Sequence, residues 1–322
     1  MHINYLKVKF SLFLFIILTC TSCIKLWLGT PEIGSKSYPI EFYLDNSYYL
    51  KENDSIDKFQ KCLEEKTGYH LKFNFVPDEK AVLSSLQRGT AHFGLSSALG
   101  YVGAAEKSSL KSVLLLTKKG SATNRSIIVG NSKFWKNQLI KSNQLKRSFN
   151  LSNDIIIKIN NELTIAYSDT ESVIGFLLPR MFLFQKDIFP YAAIFVGSYN
   201  SVLDALNDNL ANIGVISESF LEKKYPNLSQ IQVGVQFGDF IIIAMTPNLP
   251  SSTIIENQNV PLQTSIAIIS GFDQCTHKNP TEFKKIFEAD GVLKSNEKLF
   301  TVTKELYQFQ QENIRILTQQ EN

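Results

Sequence analysis

Leu163-Thr164-Ile165-Ala166-Tyr167-Ser168-Asp169-Thr170-Glu171-Ser172-Val173-Ile174-Gly175-Phe176-Leu177-Leu178-Pro179-Arg180 is the stretch whose reading decides the fold. Leu163 to Tyr167 is a short apolar run with the length of a buried strand, and Ser168 to Glu171 breaks it with small and acidic residues. Ser172 then opens an apolar stretch to Phe184 that reads as a helix. The unit is strand, polar loop, helix. It repeats downstream. Ala192 to Val196 is a strand, and Ser201 to Leu206 belongs to a helix capped by Ser198 or Asn200. Ile213 to Ser217 is a strand, and Glu218 to Lys224 is a short helix ended by Pro226. Upstream, Arg125 to Val129 is a strand. The Lys- and Asn-rich stretch 131–161 reads as a surface excursion.

The same alternation fills the first third. Strands are expected at Ile40 to Leu44, His70 to Val76, Ala91 to Leu95 and Ser112 to Thr117. Helices are expected at Ser55 to Lys66, where Ile56, Phe59 and Leu63 share a face, at Glu79 to Gln87, stopped by Gly89, and near Ala98 to Glu106. After the strongly apolar strand Phe240 to Met245, the chain reads as amphipathic helix at Thr281 to Phe287 and Thr301 to Ile316. Alternating strands and helices predict an α/β fold with a largely parallel sheet, and the restart near residue 125 predicts a second α/β unit.

The totals narrow the function. A chain of 322 residues, 44% hydrophobic and 20% charged, has room for two domains. A net charge of +3 with scattered basic residues is no footprint for nucleic acid. Four cysteines and four histidines show no zinc-ligand spacing, so no metal or cofactor is expected. Lys7 and Lys9 precede an apolar run from Phe10 to Leu18, too short to span a bilayer and suited to a signal peptide over 1–22. Thr21-Ser22-Cys23 resembles a bacterial lipobox, which implies lipidation of Cys23, with Cys20 the weaker candidate. Residues 23–37 then read as a tether. Cys62 and Cys275 remain in the mature chain, either as a disulfide or as buried thiols.

Three segments together carry a family resemblance: Gly89-Thr90-Ala91-His92-Phe93-Gly94 running on to Tyr101-Val102, the Asp169 to Arg180 segment, and Phe195-Val196-Gly197-Ser198-Tyr199 with Asn209 and Gly214. In order and spacing they resemble the phosphonate-, phosphite- and phosphate-type solute-binding proteins of ABC importers. The resemblance implies a two-lobed periplasmic-binding-protein fold of type 2, its lobes joined by two crossing strands. Lobe 1 would hold 38–123 plus 240–322, and lobe 2 would hold 124–239. It also implies a small-molecule solute in the interlobe cleft, delivery to a permease and its ATPase, and a monomer lipid-anchored in the cell envelope, periplasmic or on the outer surface.

In that family an oxyanion sits at the helix start after Tyr167-Ser168-Asp169, on free backbone N–H groups and a run of hydroxyls, Ser-Thr-Ser-Gly. Here the run is Ser172-Val173-Ile174-Gly175, with one hydroxyl. Tyr199 stands where a histidine is usual, Asn212 and His92 where aspartates are. These departures predict a cleft retuned to a less highly charged ligand, or a degenerate one. Candidate ligand contacts are Tyr48, Ser96, Ser97, Tyr101, Ser172, Val173, Tyr199 and Glu218, while His92 reads as structural. No Ser-His-Asp set, metal triad or phosphate-loop motif points to an enzyme. A thiaminase-like cleft cysteine is disfavoured by Cys62, mid-helix, and by Cys275, outside the three segments. The alternative is a surface or sensor lipoprotein of the same fold that no longer serves transport.

Overall fold

A computed structural model describes residues 32–46, 53–135 and 163–320. The signal peptide, Cys20, Cys23 and Tyr48 lie outside them.

Strand β1, Ile40–Asp45, shows why the first lobe forms: Ile40, Phe42 and Leu44 face inward and are fully buried, while the residues between them are half-buried. Helix α1, Asn53–Thr67, lays Ile56, Phe59, Cys62 and Leu63 on the same core. Strand β2, Leu71–Val76, pairs parallel with β1. Helix α2, Glu79–Arg88, starts at Asp78, whose Oδ1 accepts from Ala81 N at 2.8 Å, and ends on Gly89 in the left-handed region at φ 75°. Strand β3, Phe93–Ser96, pairs parallel with β1 on its other side, and helix α3, Ala98–Ala105, leads to β4, Leu110–Thr117.

The chain then crosses. Short β5, Thr123–Asn124, carries it into a second sheet that begins with β6, Ser126–Asn131. That sheet also holds β7, Thr164–Tyr167, and β8, Ala192–Phe195. A π-helical turn, Val173–Leu177, and helix α4, Leu178–Phe184, join these two strands. Helix α5, Tyr199–Asn207, leads to β9, Ile213–Ser217, and helix α6 is Glu218–Lys224. Strands β10, Gln236–Phe237, and β11, Phe240–Met245, complete the sheet, in the order β10-β11-β6-β9-β7-β8.

Strand β12, Leu249–Pro250, returns the chain and pairs antiparallel with β5, Leu249 opposite Asn124. These are the two crossing strands of a type 2 periplasmic binding fold. Strand β13, Thr253–Asn257, helix α7, Leu262–Lys278, helix α8, Pro280–Phe287, and β14, Gly291–Lys294, then finish the first lobe. Its sheet runs β14-β4-β13-β3-β1-β2. A 3₁₀ turn, Glu297–Phe300, opens the final helix α9, Thr301–Gln320.

Three expectations need correction. Residue 240 does not re-enter lobe 1, because β11 pairs antiparallel with β6 in the second sheet. The sheets are mixed rather than largely parallel: β13, arriving from the crossing, runs antiparallel to both β3 and β4. The end of the expected tether is folded. Gly34 N donates to Tyr38 O and His70 N to Gly34 O, each at 2.8 Å, and Ile33 packs on the first core.

Cys62 and Cys275 form a disulfide that fastens α1 to α7, with 5.9 Å between their Cα atoms. It sits among Phe42, Phe59, Phe272, Phe283 and Phe287. In the second lobe, Trp135 lies so close to β6 that a Cβ on Gly130 would fall 2.1 Å from its Nε1, so that position requires glycine. Trp135 Nε1 donates to Asn212 O at 3.0 Å, and Asn212 Oδ1 accepts from Thr164 N at 2.8 Å. Asn212 is therefore a brace between β7 and β9. His92 is likewise structural. Glu41 N donates to its Nδ1 at 2.9 Å, and its Nε2 lies 3.3 Å from the Tyr38 hydroxyl.

Candidate functional site: the interlobe cleft

Between the lobes, beside the crossing strands, lies a cavity of about 780 Å³. Several helix starts reach it. From lobe 1 comes the N-terminus of α3, where Ser97 Oγ accepts from Gly100 N at 3.0 Å. From lobe 2 come the π turn, the start of α5 at Tyr199, and the start of α6, where Ser217 Oγ accepts from Phe220 N at 3.1 Å. Unpaired N–H groups at helix starts make this region favourable for negative charge.

Of the candidate contacts, Ser97, Val173, Tyr199 and Glu218 line the cavity. Three others are turned away from it. Ser96 is buried, and its hydroxyl donates to Glu79 Oε1 at 2.6 Å, the carboxylate that also receives Ser97 N–H. Tyr101 is 2% exposed and stacks edge-on against Phe300, and its hydroxyl donates to Glu297 Oε1 at 2.6 Å. Burial, then Glu297, pushes its phenol well above the ordinary value, so it is a neutral anchor for the C-terminal segment. Ser172 caps the π turn, its Oγ accepting from Gly175 N at 2.8 Å, and does not line the cavity.

The apolar residues of this turn make a contact between lobes. Val173, Ile174 and Leu177 of lobe 2 pack in one cluster with Leu99, Val302 and Phe309 of lobe 1, around buried Leu178, Met181, Leu249 and Leu306. Each apolar side chain that leaves water here contributes up to about 1.5–3 kcal/mol. That contribution favours lobe contact whether or not an anion is bound. Ile174 also yields its carbonyl to Ser126 Oγ at 2.6 Å.

The remaining charges sit around this apolar floor. Glu218 Oε1 accepts from Arg125 Nε at 2.9 Å and Nη2 at 2.6 Å, so its carboxylate is held by lobe 2 itself. Lys119 reaches across the cleft to Glu222 at 3.4 Å. Lys118 and Lys223 also line the cavity and have no carboxylate partner among the described residues. Sequence reading missed Lys118, Lys119, Phe220, Lys223 and Thr303. Lys119 and Gly120 turn with φ 52° and 75°, and of this tight reversal only the glycine was visible in the sequence. No cluster of metal-ligating side chains occurs among the described residues, and no described helix is long and apolar enough to cross a membrane.

Two α/β lobes joined by paired crossing strands, with a cavity between them, define a type 2 periplasmic-binding-protein fold with room for a solute between its lobes. The profile of the ABC transporter phosphonate periplasmic substrate-binding proteins matches residues 51–292, well over half of the chain, and the chain belongs to that family. Solved structures show the same fold at low identity. PhnD1 from Prochlorococcus marinus in complex with methylphosphonate is 16% identical with TM-score 0.51, covering 88% of this chain and 99% of its own. XAC2383 from Xanthomonas citri bound to ATP is 14% identical with TM-score 0.55, over 83% and 95%. The Mycoplasma hyorhinis protein Mh-p37, described as a putative thiamine pyrophosphate transporter, is 11% identical with TM-score 0.56, over 84% and 98%. No protein of curated function matches the chain in sequence.

Proposed function

We propose that this chain is an extracytoplasmic lipoprotein, anchored through Cys23, that captures a small polar or anionic solute between its lobes and hands it to an ABC permease and ATPase. In this reading the phosphonate-type site is altered and the ligand is not a simple phosphonate. The observation that carries the reading is the packing of Val173 and Ile174 against Leu99 and Val302, where the family places hydroxyl donors. An oxyanion put there would leave its oxygens without donors, which costs about 1–3 kcal/mol for each missing bond. Export is supported by the buried disulfide, which persists in oxidising compartments. Ser97, Val173, Tyr199 and Glu218 are the proposed contacts that line the cavity, Glu218 with its carboxylate already held by Arg125.

A thermal-shift screen on the chain lacking residues 1–23 tests this, with phosphate, phosphite, alkylphosphonates, sulfate, amino acids, nucleosides and small amines. A ligand at about 100 times its Kd stabilises by about 2.7 kcal/mol. A shift with a solute other than a phosphonate supports the reading. A shift confined to phosphonates refutes the altered site, and no shift with any solute favours a surface lipoprotein without transport. Radiolabelled palmitate incorporation, lost in Cys23→Ala, tests the anchor.

A further inference from the structure

The cleft has features that a handful-of-atoms oxyanion would not use, and they point to the chemical class of the solute. Tyr199 and Phe220 both line it, with ring centroids 5.3 Å apart and planes at 45°. Both are half-buried, packed on the lobe 2 core. They form an aromatic wall on one side of the cavity, and Leu116 and Phe287 of lobe 1 lie on the other. Lys224 Nζ stands 5.6 Å from the Phe220 centroid, held by Asn200 Oδ1 at 2.5 Å, and adds positive charge beside that wall.

The charges in the lining are unevenly used. Glu218 is taken by Arg125 and Glu222 by Lys119, with Glu288 the third carboxylate present. Lys118, beside β4, and Lys223, on α6, approach from opposite lobes with no carboxylate partner among the described residues. Thr303 adds an independent sign of a ligand. It lines the lobe 1 wall, is fully buried, and its Oγ1 has no hydrogen-bond partner. Buried hydroxyls are ordinarily paired.

We propose that the solute is an organic anion built on a planar ring, its ring lying against Tyr199 and Phe220 and its anionic group held between Lys118 and Lys223, with Thr303 donating to it. The proposal rests on the reading that the cleft captures a solute, and names the solute's class. Ring stacking and a charge clamp from both lobes explain a cavity of about 780 Å³ better than a lone phosphonate does. Closing the lobes on such a ligand brings the two lysines onto one charge, which is what a hinge-closing binder requires.

Isothermal titration of the chain lacking residues 1–23 tests it with five probes: AMP, indole-3-acetate, adenosine, ribose 5-phosphate and methylphosphonate. AMP tests a ring with phosphate and indole-3-acetate a ring with carboxylate, so the pair separates the two anionic groups. At least one of them binds about tenfold or more tighter than adenosine and ribose 5-phosphate. Lys223→Gln, an exposed change that leaves the fold alone, weakens that probe about tenfold and leaves adenosine unchanged. Phe220→Leu removes the advantage of the ring. Equal binding of ribose 5-phosphate or methylphosphonate overturns the ring assignment while leaving solute capture standing. Binding that ignores Lys223→Gln overturns the charge clamp. A chain that melts normally yet binds none of the five overturns the ring-anion class; capture itself fails only if the broader thermal-shift panel is silent too.

Discussion

Replacing Cys62 and Cys275 with alanine unties α1 from α7 and has a magnitude that follows from the topology. The bond closes a loop with a sequence separation of 213, which contains all of lobe 2. In the chain-entropy description a loop of that length removes about 5 kcal/mol from the unfolded state's advantage, and measured bridges deliver about 2–4 kcal/mol. Both sulfurs are buried, Cys62 at 3% and Cys275 at 0% exposure, so the alanines add a small cavity among Phe59, Phe272 and Phe287 rather than an exposed gap. The expected loss is therefore about 3–5 kcal/mol. For a chain of this length, with an unfolding entropy of about 2.1 cal/mol/K per residue, it lowers Tm by roughly 4–8 °C. Thermal melting followed by circular dichroism reads it directly, and reductant applied to the unaltered chain reproduces the shift. A double variant melting within about 2 °C of the unaltered chain, with free thiols confirmed absent in the latter, refutes the reasoning.

Three further outcomes follow from local geometry. Gly175→Ala places a Cβ 2.2 Å from Ser168 Oγ and 2.7 Å from Ser172 Oγ, so it disrupts the π turn and costs about 1–3 kcal/mol in a denaturant titration; an unchanged midpoint would mean the turn is not tightly packed. His92 accepts a backbone N–H at Nδ1, and burial, against a small opposing effect of Glu41, holds its pKa below the ordinary value. Its contribution is present above about pH 6.5 and is lost as pH falls through the lower folded value. The melting temperature of His92→Gln thus declines less between pH 7.5 and 5 than that of the unaltered chain, and parallel declines would contradict this. At the crossing, burial raises the Asp290 carboxyl. Hydrogen bonds from Thr117, at 2.8 Å, and from the N–H groups of Lys119 and Gly120 outweigh that and hold it low. Its contribution is present above the ordinary carboxylate range and disappears on acidification, so Asp290→Asn flattens the acid limb of the stability profile; an unchanged limb refutes the assignment.

Much of the fold was legible because most elements obey one period. Ile40, Phe42 and Leu44 alternate, and Ile56, Phe59 and Leu63 recur at helical spacing. The elements that escaped have polar residues in buried positions. Strand β13 carries Glu256, 6% exposed, whose carboxylate is satisfied by Lys111 at 3.1 Å and by Ser265. Helix α7 buries Thr264, Ser265 and Thr276, and Thr276 Oγ1 donates to Phe272 O at 2.7 Å. Such pairings make polar residues compatible with a core, but they erase the apolar stripe that sequence reading follows. Exposure can also escape a sequence reading: Phe184 and Phe189 are each 53% exposed.

The site was less legible, because a residue's place along a helix start does not say which way it faces. Ser96 and Tyr101 flank the cavity wall yet point into lobe 1, while the adjacent Ser97 lines it. The departures from the family pattern also separate in space. His92 and Asn212 brace the lobes, and only Val173, Ile174 and Tyr199 reach the cleft. Lys118 and Lys223 are 105 residues apart in sequence, and only the crossing strands bring them to one cavity.

In the proposed reading, an apolar interlobe contact takes the place of the oxyanion cradle of this family. Titration calorimetry of methylphosphonate into the unaltered chain and into the variant Val173→Thr/Ile174→Ser tests it most directly. The unaltered chain is expected to give no saturable heat up to about 1 mM, and binding becomes measurable once the hydroxyls are restored. Binding of methylphosphonate by the unaltered chain with a Kd of about 1 μM or tighter would contradict it.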